Sequence, residues 1–209
     1  MIVSCRGIRH FPLLLFVAVL LLLLQGCASP SWIIVQPDQS KTVFEQHFQQ
    51  AYGGRTDDGT YEFLLIADDA DSAAAQNKPG AALHPVAREP LRQVIYIKVL
   101  WRPMPGAQTT AANNAAITWY VMSDAPQNQR DLLEYRGTAF VAVRPKDHSA
   151  RVRISNGTVL LHSRRGHLRD AIGQGHLSGE FTAVSDDSRL EEILASTRAR
   201  STTLASAEK

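Results

Sequence analysis

What most constrains this chain is a series of strand-like segments that follow one another through turns, with no helix between them long enough to cross over. Gln93 to Arg102 alternates strongly and places Ile95, Ile97, Val99 and Trp101 on one face. Tyr61 to Ala67 is a short apolar run after an Asp-Asp-Gly turn. Ile117 to Ser123, Glu134 to Arg144 and Gly179 to Val184 read as further strands. Between Arg151 and Arg164, Asn156-Gly157 separates two alternating runs and predicts a two-residue hairpin turn. Strands in series without crossovers predict an antiparallel sheet.

Helices are predicted at both ends of this series. Thr42 and Glu45 form a capping-box pair, Phe44, Phe48, Ala51 and Tyr52 share one helical face, and Gly53-Gly54 stops the run. Ser188 with Glu191 opens a second helix carrying Leu190, Ile193 and Leu194. The expected fold is α+β, a mostly antiparallel sheet with an N-terminal and a C-terminal helix; a β-sandwich with decorating helices is the alternative. Residues 32–200 make a single globular domain and 201–209 a polar, disordered tail. Residues 68–90, rich in Ala, Asp, Pro and Gly, and residues 103–114 read as exposed loops.

Ahead of this domain, Arg6 and Arg9 precede an uninterrupted apolar stretch from Leu13 to Leu24. Twelve apolar residues are too few to span a bilayer, which takes roughly 18 or more, but they suit the apolar region of an export signal. Leu24-Gln25-Gly26-Cys27 then closes the stretch, and it resembles the lipobox of bacterial lipoproteins. That resemblance implies removal of residues 1–26, acylation of Cys27 through its sulfur, and a tether of residues 27–31. An ordinary small-x-small cut after Ala28 is the competing way to process the same stretch. Ala28-Ser29, with no aspartate after the cysteine, resembles lipoproteins sent to the periplasmic face of the outer membrane in double-membraned bacteria. Cys5 lies inside the signal, so an acylated Cys27 leaves the mature domain without a thiol or a disulfide. At about 180 residues such a domain buries enough surface to fold without staples.

The formal charge of +2 belongs to Arg6 and Arg9; the remaining chain carries 20 basic and 20 acidic residues. A neutral sum excludes a dedicated nucleic-acid binder, which would be clearly basic. The charges are unevenly placed, with a net of +5 over residues 130–170 and −6 over residues 38–71. In the predicted hairpin Ile154, Val159, Val152 and Leu161 share the buried face, while Arg151, Arg153, His162 and Arg164 share the other. Arg144, Lys146, Arg165 and Arg169 lie close by in sequence. This predicts a cationic face for anionic lipid headgroups, an envelope polymer or an acidic protein. The same pattern also serves as a plain solvated face that resists strand-to-strand aggregation.

Other chemistry finds little support. His162, His167 and His176 lack metal-ligand spacing, and Asp68 to Asp71 does not fit a calcium loop. Gly173 to Gly179 has glycines at the wrong spacing for a dinucleotide site and reads as a flexible connection. There is no Gly-x-Ser-x-Gly or Ser-x-x-Lys motif. Trp101, Trp119, Tyr120 and Phe140 sit at strand positions and read as core. No cofactor and no metal is expected. The expected protein is a lipid-anchored envelope protein that binds or supports a protein or polymer partner without catalysis. An anchored cell-wall or lipid hydrolase and a small-ligand carrier are the alternatives.

Overall fold

The structure is a computed structural model that describes residues 31–41, 43–68, 91–101, 113–123 and 131–206. The signal stretch, Cys27, Thr42 and nearly all of the 68–90 and 103–114 loops therefore lie outside the described residues. Nine strands follow in order: β1 (Ser31–Pro37), β2 (Phe44–Phe48), β3 (Gln50–Arg55), β4 (Tyr61–Asp68), β5 (Leu91–Val99), β6 (Ala115–Ser123), β7 (Leu132–Lys146), β8 (Ser149–Arg165) and β9 (Gln174–Ser185). Among the described residues one helix, α1 (Asp187–Ser206), follows them.

The strands close on themselves. From β3 through β8 each strand pairs with the next antiparallel to it. β9 then pairs antiparallel with β8 and, through Tyr52↔Val184 and Gly53↔Ser185, parallel with β3. The result is a closed seven-strand barrel, with β1 and β2 added as a hairpin on the first part of β9. Following the register once around from Gly175 returns to β9 at Ser185, a stagger of ten residues. So large a stagger for seven strands tilts them steeply and keeps the interior narrow enough for side chains to fill.

Neither the α+β sheet nor the β-sandwich is the fold; the sheet is a barrel, and the residues read as an N-terminal helix form strands β2 and β3, with no helix ahead of the barrel among the described residues. Phe44 and Phe48, four residues apart, fit a helix and a strand equally well. Gln46 lies between them on the same inward face, buried, and its Oε1 accepts a 3.1 Å hydrogen bond from Gln93 Nε2 of β5. That polar residue at an inward position disguised a period-two strand. The hairpin at Asn156-Gly157 is also absent, because β8 runs through it as one strand paired on both sides. Asn156 has φ +52° and sits in a β-bulge between Ile154 and Gly157 in the pairing with β9. Gly173 to Gly179 is not a flexible connection: β9 begins at Gln174, and a Cβ on Gly175 would lie 2.9 Å from the Gln36 carbonyl oxygen of β1.

The interior is a packed core. Phe63, Trp119, Tyr135 and Phe181 are fully buried, with Phe63 edge-on to Phe181 at 5.7 Å and Trp119 tilted on Tyr135 at 5.7 Å. Aliphatic side chains fill most of the rest, among them Ile33, Leu65, Ile95, Ile117, Val141, Val152 and Leu177. The upper end, where β8 passes to β9, is stopped by Ile172 and by Asp170, whose Oδ1 accepts from Tyr135 Oη (2.7 Å), Ile172 N (3.0 Å) and Gly173 N (2.8 Å). Burial, then the adjoining Asp170 carboxylate, push the Tyr135 hydroxyl above its ordinary pKa.

α1 lies along the outside. Leu190, Ile193 and Leu194 pack on Leu64, Ile66, Val94, Tyr120, Met122 and Leu132, so β4 is buried on both faces. This matches the apolar stripe expected of the C-terminal helix. Its cap differs, however: Asp186 Oδ1, not Ser188, accepts from Arg189 N at 3.0 Å, and Ser188 Oγ donates to the same oxygen. The helix also continues to Ser206, through residues read as a disordered tail. Twenty residues give it about 30 Å, enough to run along the barrel wall from β3 to the end of β6.

Candidate binding surface

The residues with free chemistry stand on the outer wall, and β8 sets their positions. Before Asn156 its even-numbered residues point inward (Ala150, Val152, Ile154); after it the odd-numbered ones do (Val159, Leu161). The bulge adds one residue and so exchanges the two faces. A two-residue hairpin would exchange them in the same way. Arg151 and Arg153 therefore face outward. A second irregularity follows, with Leu161 opposite inward Tyr135 and Ser163 opposite Glu134. The faces exchange again there, Arg165 turns out toward α1, and the exposed His162 and Arg164 do not continue the row of Arg151 and Arg153.

Nor do these four residues share one place. A hairpin would have set Arg151 beside His162; on a single strand, roughly 30 Å separates Arg153 from His162. Arg151 and Arg153 lie toward the lower end of the barrel, where β7 turns into β8. His162 and Arg164 lie toward the upper end.

At the lower end β7 supplies what the hairpin did not. Arg144 stands directly opposite Arg151, and Lys146 opposite Ser149, giving a basic strip of Arg144, Lys146, Arg151 and Arg153 on the exposed wall. Glu180 on β9 is opposite Arg153 in register and forms an ion pair with Arg151 through its Oε1. Among the described residues Arg144, Lys146 and Arg153 form no ion pair. Like charges directly across a strand pair repel, so the facing Arg144 and Arg151 cost folding energy that the Glu180 pair with Arg151 offsets in part.

Two tryptophans flank the strip. Trp32 of β1 lies in the same cross-strand row as Glu180 and Arg153 and is half-buried on the outer wall. Trp101 follows β5 and is 37% exposed, beside Leu100 at 54%. It is not core: the strand ends at Val99, and Asn114 instead ties its backbone to the β7 side. Asn114 Nδ2 donates to Trp101 O (3.2 Å) and Val141 O (2.9 Å), and its Oδ1 accepts from Val141 N (2.6 Å). No residue pattern marks this clamp, because it joins positions 13 and 27 residues away.

Acids of the lower end stand at the β3–β4 turn (Asp57, Asp58) and where β9 passes into α1 (Asp186, Asp187), the latter next to the β7–β8 turn, since Ser185 N donates to His148 O. A hydrogen bond from the Thr56 hydroxyl, joined by Thr60 N and Oγ1, holds the Asp58 carboxyl down at about 2. The Arg189 backbone N–H does the same for Asp186, below the usual carboxylate range. The upper basic residues differ again. Arg165 donates to Ser201 O and Arg200 to Ser123 O, so they fasten α1 to the barrel. Arg198 lies 5.4 Å over the Tyr96 ring beneath it.

The wall is apolar inside and charged outside, the reverse of barrels that face lipid with their outer surface. Among the described residues no helix is long and apolar enough to cross a membrane. Comparison of the chain with known protein families, with curated proteins and with solved structures finds no match.

Proposed function

We propose that this protein is an exported lipoprotein of the cell envelope, held by acylated Cys27, whose barrel binds or supports a partner through its outer wall without catalysis. In a double-membraned host its place is the periplasmic face of the outer membrane. The observation that carries this reading is where the polar chemistry stands. The interior is filled with side chains, and the charged groups not used by the fold are on strands facing solvent. A carrier needs an enclosed cavity and a hydrolase convergent polar groups in a cleft. The hollow of about 560 Å³ lined by residues 36–41 and His176, where His176 lies 3.6 Å from Asp38, is open to solvent at the end of β1. The wall of β7, β8 and β9 is instead an extended surface suited to a flat partner. Cys27 stands four residues before Ser31, a reach of about 14 Å, so the anchor would hold that surface close to the bilayer.

Intact mass and membrane fractionation in the native host test the anchor. The mature protein should begin at an acylated Cys27 and sediment with membranes, and Cys27→Ser should release it to the soluble fraction. Membrane retention of that variant at the wild-type level would overturn the reading.

A further inference from the structure

We propose that the lower wall of β7 and β8, flanked by Trp32 and Trp101, is the face on which the barrel rests against an anionic phospholipid surface. The inference rests on the anchoring proposed above and adds the orientation and the lipid class. β1, into which the anchored segment leads, and β8 flank the same strand β9. Trp32 and Arg153 lie in one row on either side of Glu180, about 10 Å apart at the usual strand spacing. The first residues of the folded domain and the basic strip therefore share one side of the barrel, and a tether of about 14 Å keeps that side near the bilayer.

Two features of this side fit a charged bilayer better than open solvent. Arg144, Lys146 and Arg153 are cations without a carboxylate partner among the described residues, and each basic group near an anionic leaflet is attracted to it. Trp101 and Leu100 are exposed at one flank of the strip and Trp32 is half-buried at the other; tryptophan concentrates where hydrocarbon meets headgroups. The acids facing the strip are Glu180, paired with Arg151, Asp147 in the β7–β8 turn, and Asp186 and Asp187, which follow the β9 residue whose N–H donates to His148 O. Asp57 and Asp58 on the β3–β4 turn have Arg55 and Lys98 close by. Glu45 and His47, 3.3 Å apart on β2, border the strip beyond β1.

The experiment uses the full lipidated chain reconstituted into vesicles of brominated phosphatidylcholine alone or mixed in equal parts with phosphatidylglycerol. Tryptophan fluorescence should be quenched more strongly in the mixed vesicles, and high salt should remove the difference. The variant Arg144→Gln/Lys146→Gln/Arg151→Gln/Arg153→Gln should lose the phosphatidylglycerol dependence, and Trp101→Phe should lose much of the quenching. Glu180→Gln, which leaves every cation in place, should strengthen quenching and carry it to higher salt. Equal quenching in both vesicle types, unchanged in these variants, would overturn the inference. So would salt-sensitive binding to isolated cell-wall polymer with no response to phosphatidylglycerol, which would assign the strip to the polymer. Flotation separates the two readings, because a lipidated chain floats with either vesicle. If the chain is not acylated, anchoring fails, and the strip is judged by whether the unlipidated chain floats with phosphatidylglycerol vesicles alone at low salt.

Discussion

The two ends of β8 carry the same residue type on the same exposed face and do different work. At the upper end Arg165 reaches Ser201 O of α1, while Arg200 of the helix reaches back to Ser123 O at the end of β6. Arg136, near them on β7, is 2.6 Å from the buried Glu134. Basic side chains here are fasteners between a helix and a barrel. On the lower strip Arg151 has a carboxylate, and among the described residues Arg144, Lys146 and Arg153 project from the wall without one. The difference lies in what covers the strand. Where α1 closes over the wall, guanidinium groups find buried carbonyl oxygens; where nothing covers it, charge stays available to an outside partner. Arginine on a strand thus gains meaning from the neighbouring layer, not from its own sequence.

Asn156 joins the two ends, and its removal is the most severe way to break the comparison. Deleting it would turn Val159 and Leu161 outward and Leu160 and His162 into the core. The deletion variant should show no cooperative thermal unfolding by circular dichroism. A native-like melt would mean that the bulge does not set the faces. A milder test compares the ends directly. Arg165→Ala should lower stability by about 1–2 kcal/mol, the worth of a charged hydrogen bond, whereas Arg153→Gln should change it by less than about 0.5 kcal/mol. Equal losses in denaturant titrations would erase the distinction between fastener and free charge.

The smallest effect concerns pH at the lower end. Asp58 and Asp186 have depressed carboxyl pKa values, so each contributes stability that is fully present above the ordinary aspartate value of about 4. For Asp58 that contribution is lost as pH falls from there toward about 2. Asp58→Asn should flatten the acid limb of the stability curve in that window, and an unchanged limb would show the Thr56 and Thr60 hydrogen bonds to be without consequence.

Parts of this were legible from residues alone. Gln93 to Val99 alternates and lies in the barrel with Ile95, Ile97 and Val99 inward, as the period demands. The apolar stripe of α1 is likewise readable, since Leu190, Ile193 and Leu194 fall on one helical face. The face assignment on β8 survives a wrong turn as far as Leu161, because a hairpin and a one-residue bulge both exchange the faces, and fails beyond it, where a second register shift sets Arg164 opposite inward Leu133. The position of its charges does not survive, because that depends on whether the chain reverses. β2 was misread because its inward Gln46 is satisfied by Gln93, a partner 47 residues away. Trp101 was assigned to the core because its strand pattern continues past the last paired residue.

Inward and outward positions along most strands, and the helical character of the last segment, can be read from the residues alone. Those properties follow from local periodicity, which needs no knowledge of distant partners. The sequence also carries the export stretch and Cys27, and with them the proposed address. Tertiary structure alone decided that the sheet closes, because closure depends on β3 and β8 meeting opposite edges of β9, pairings between segments far apart in the chain. Closure in turn decided that Asn156-Gly157 is a bulge in one long strand. Each edge of β8 offers a row of N–H and C=O groups, and pairing both rows with neighbouring strands satisfies more of them than an edge hairpin would. From that choice follows the place of the basic strip: beside the strand that leads from the anchor, with β7 supplying half of it.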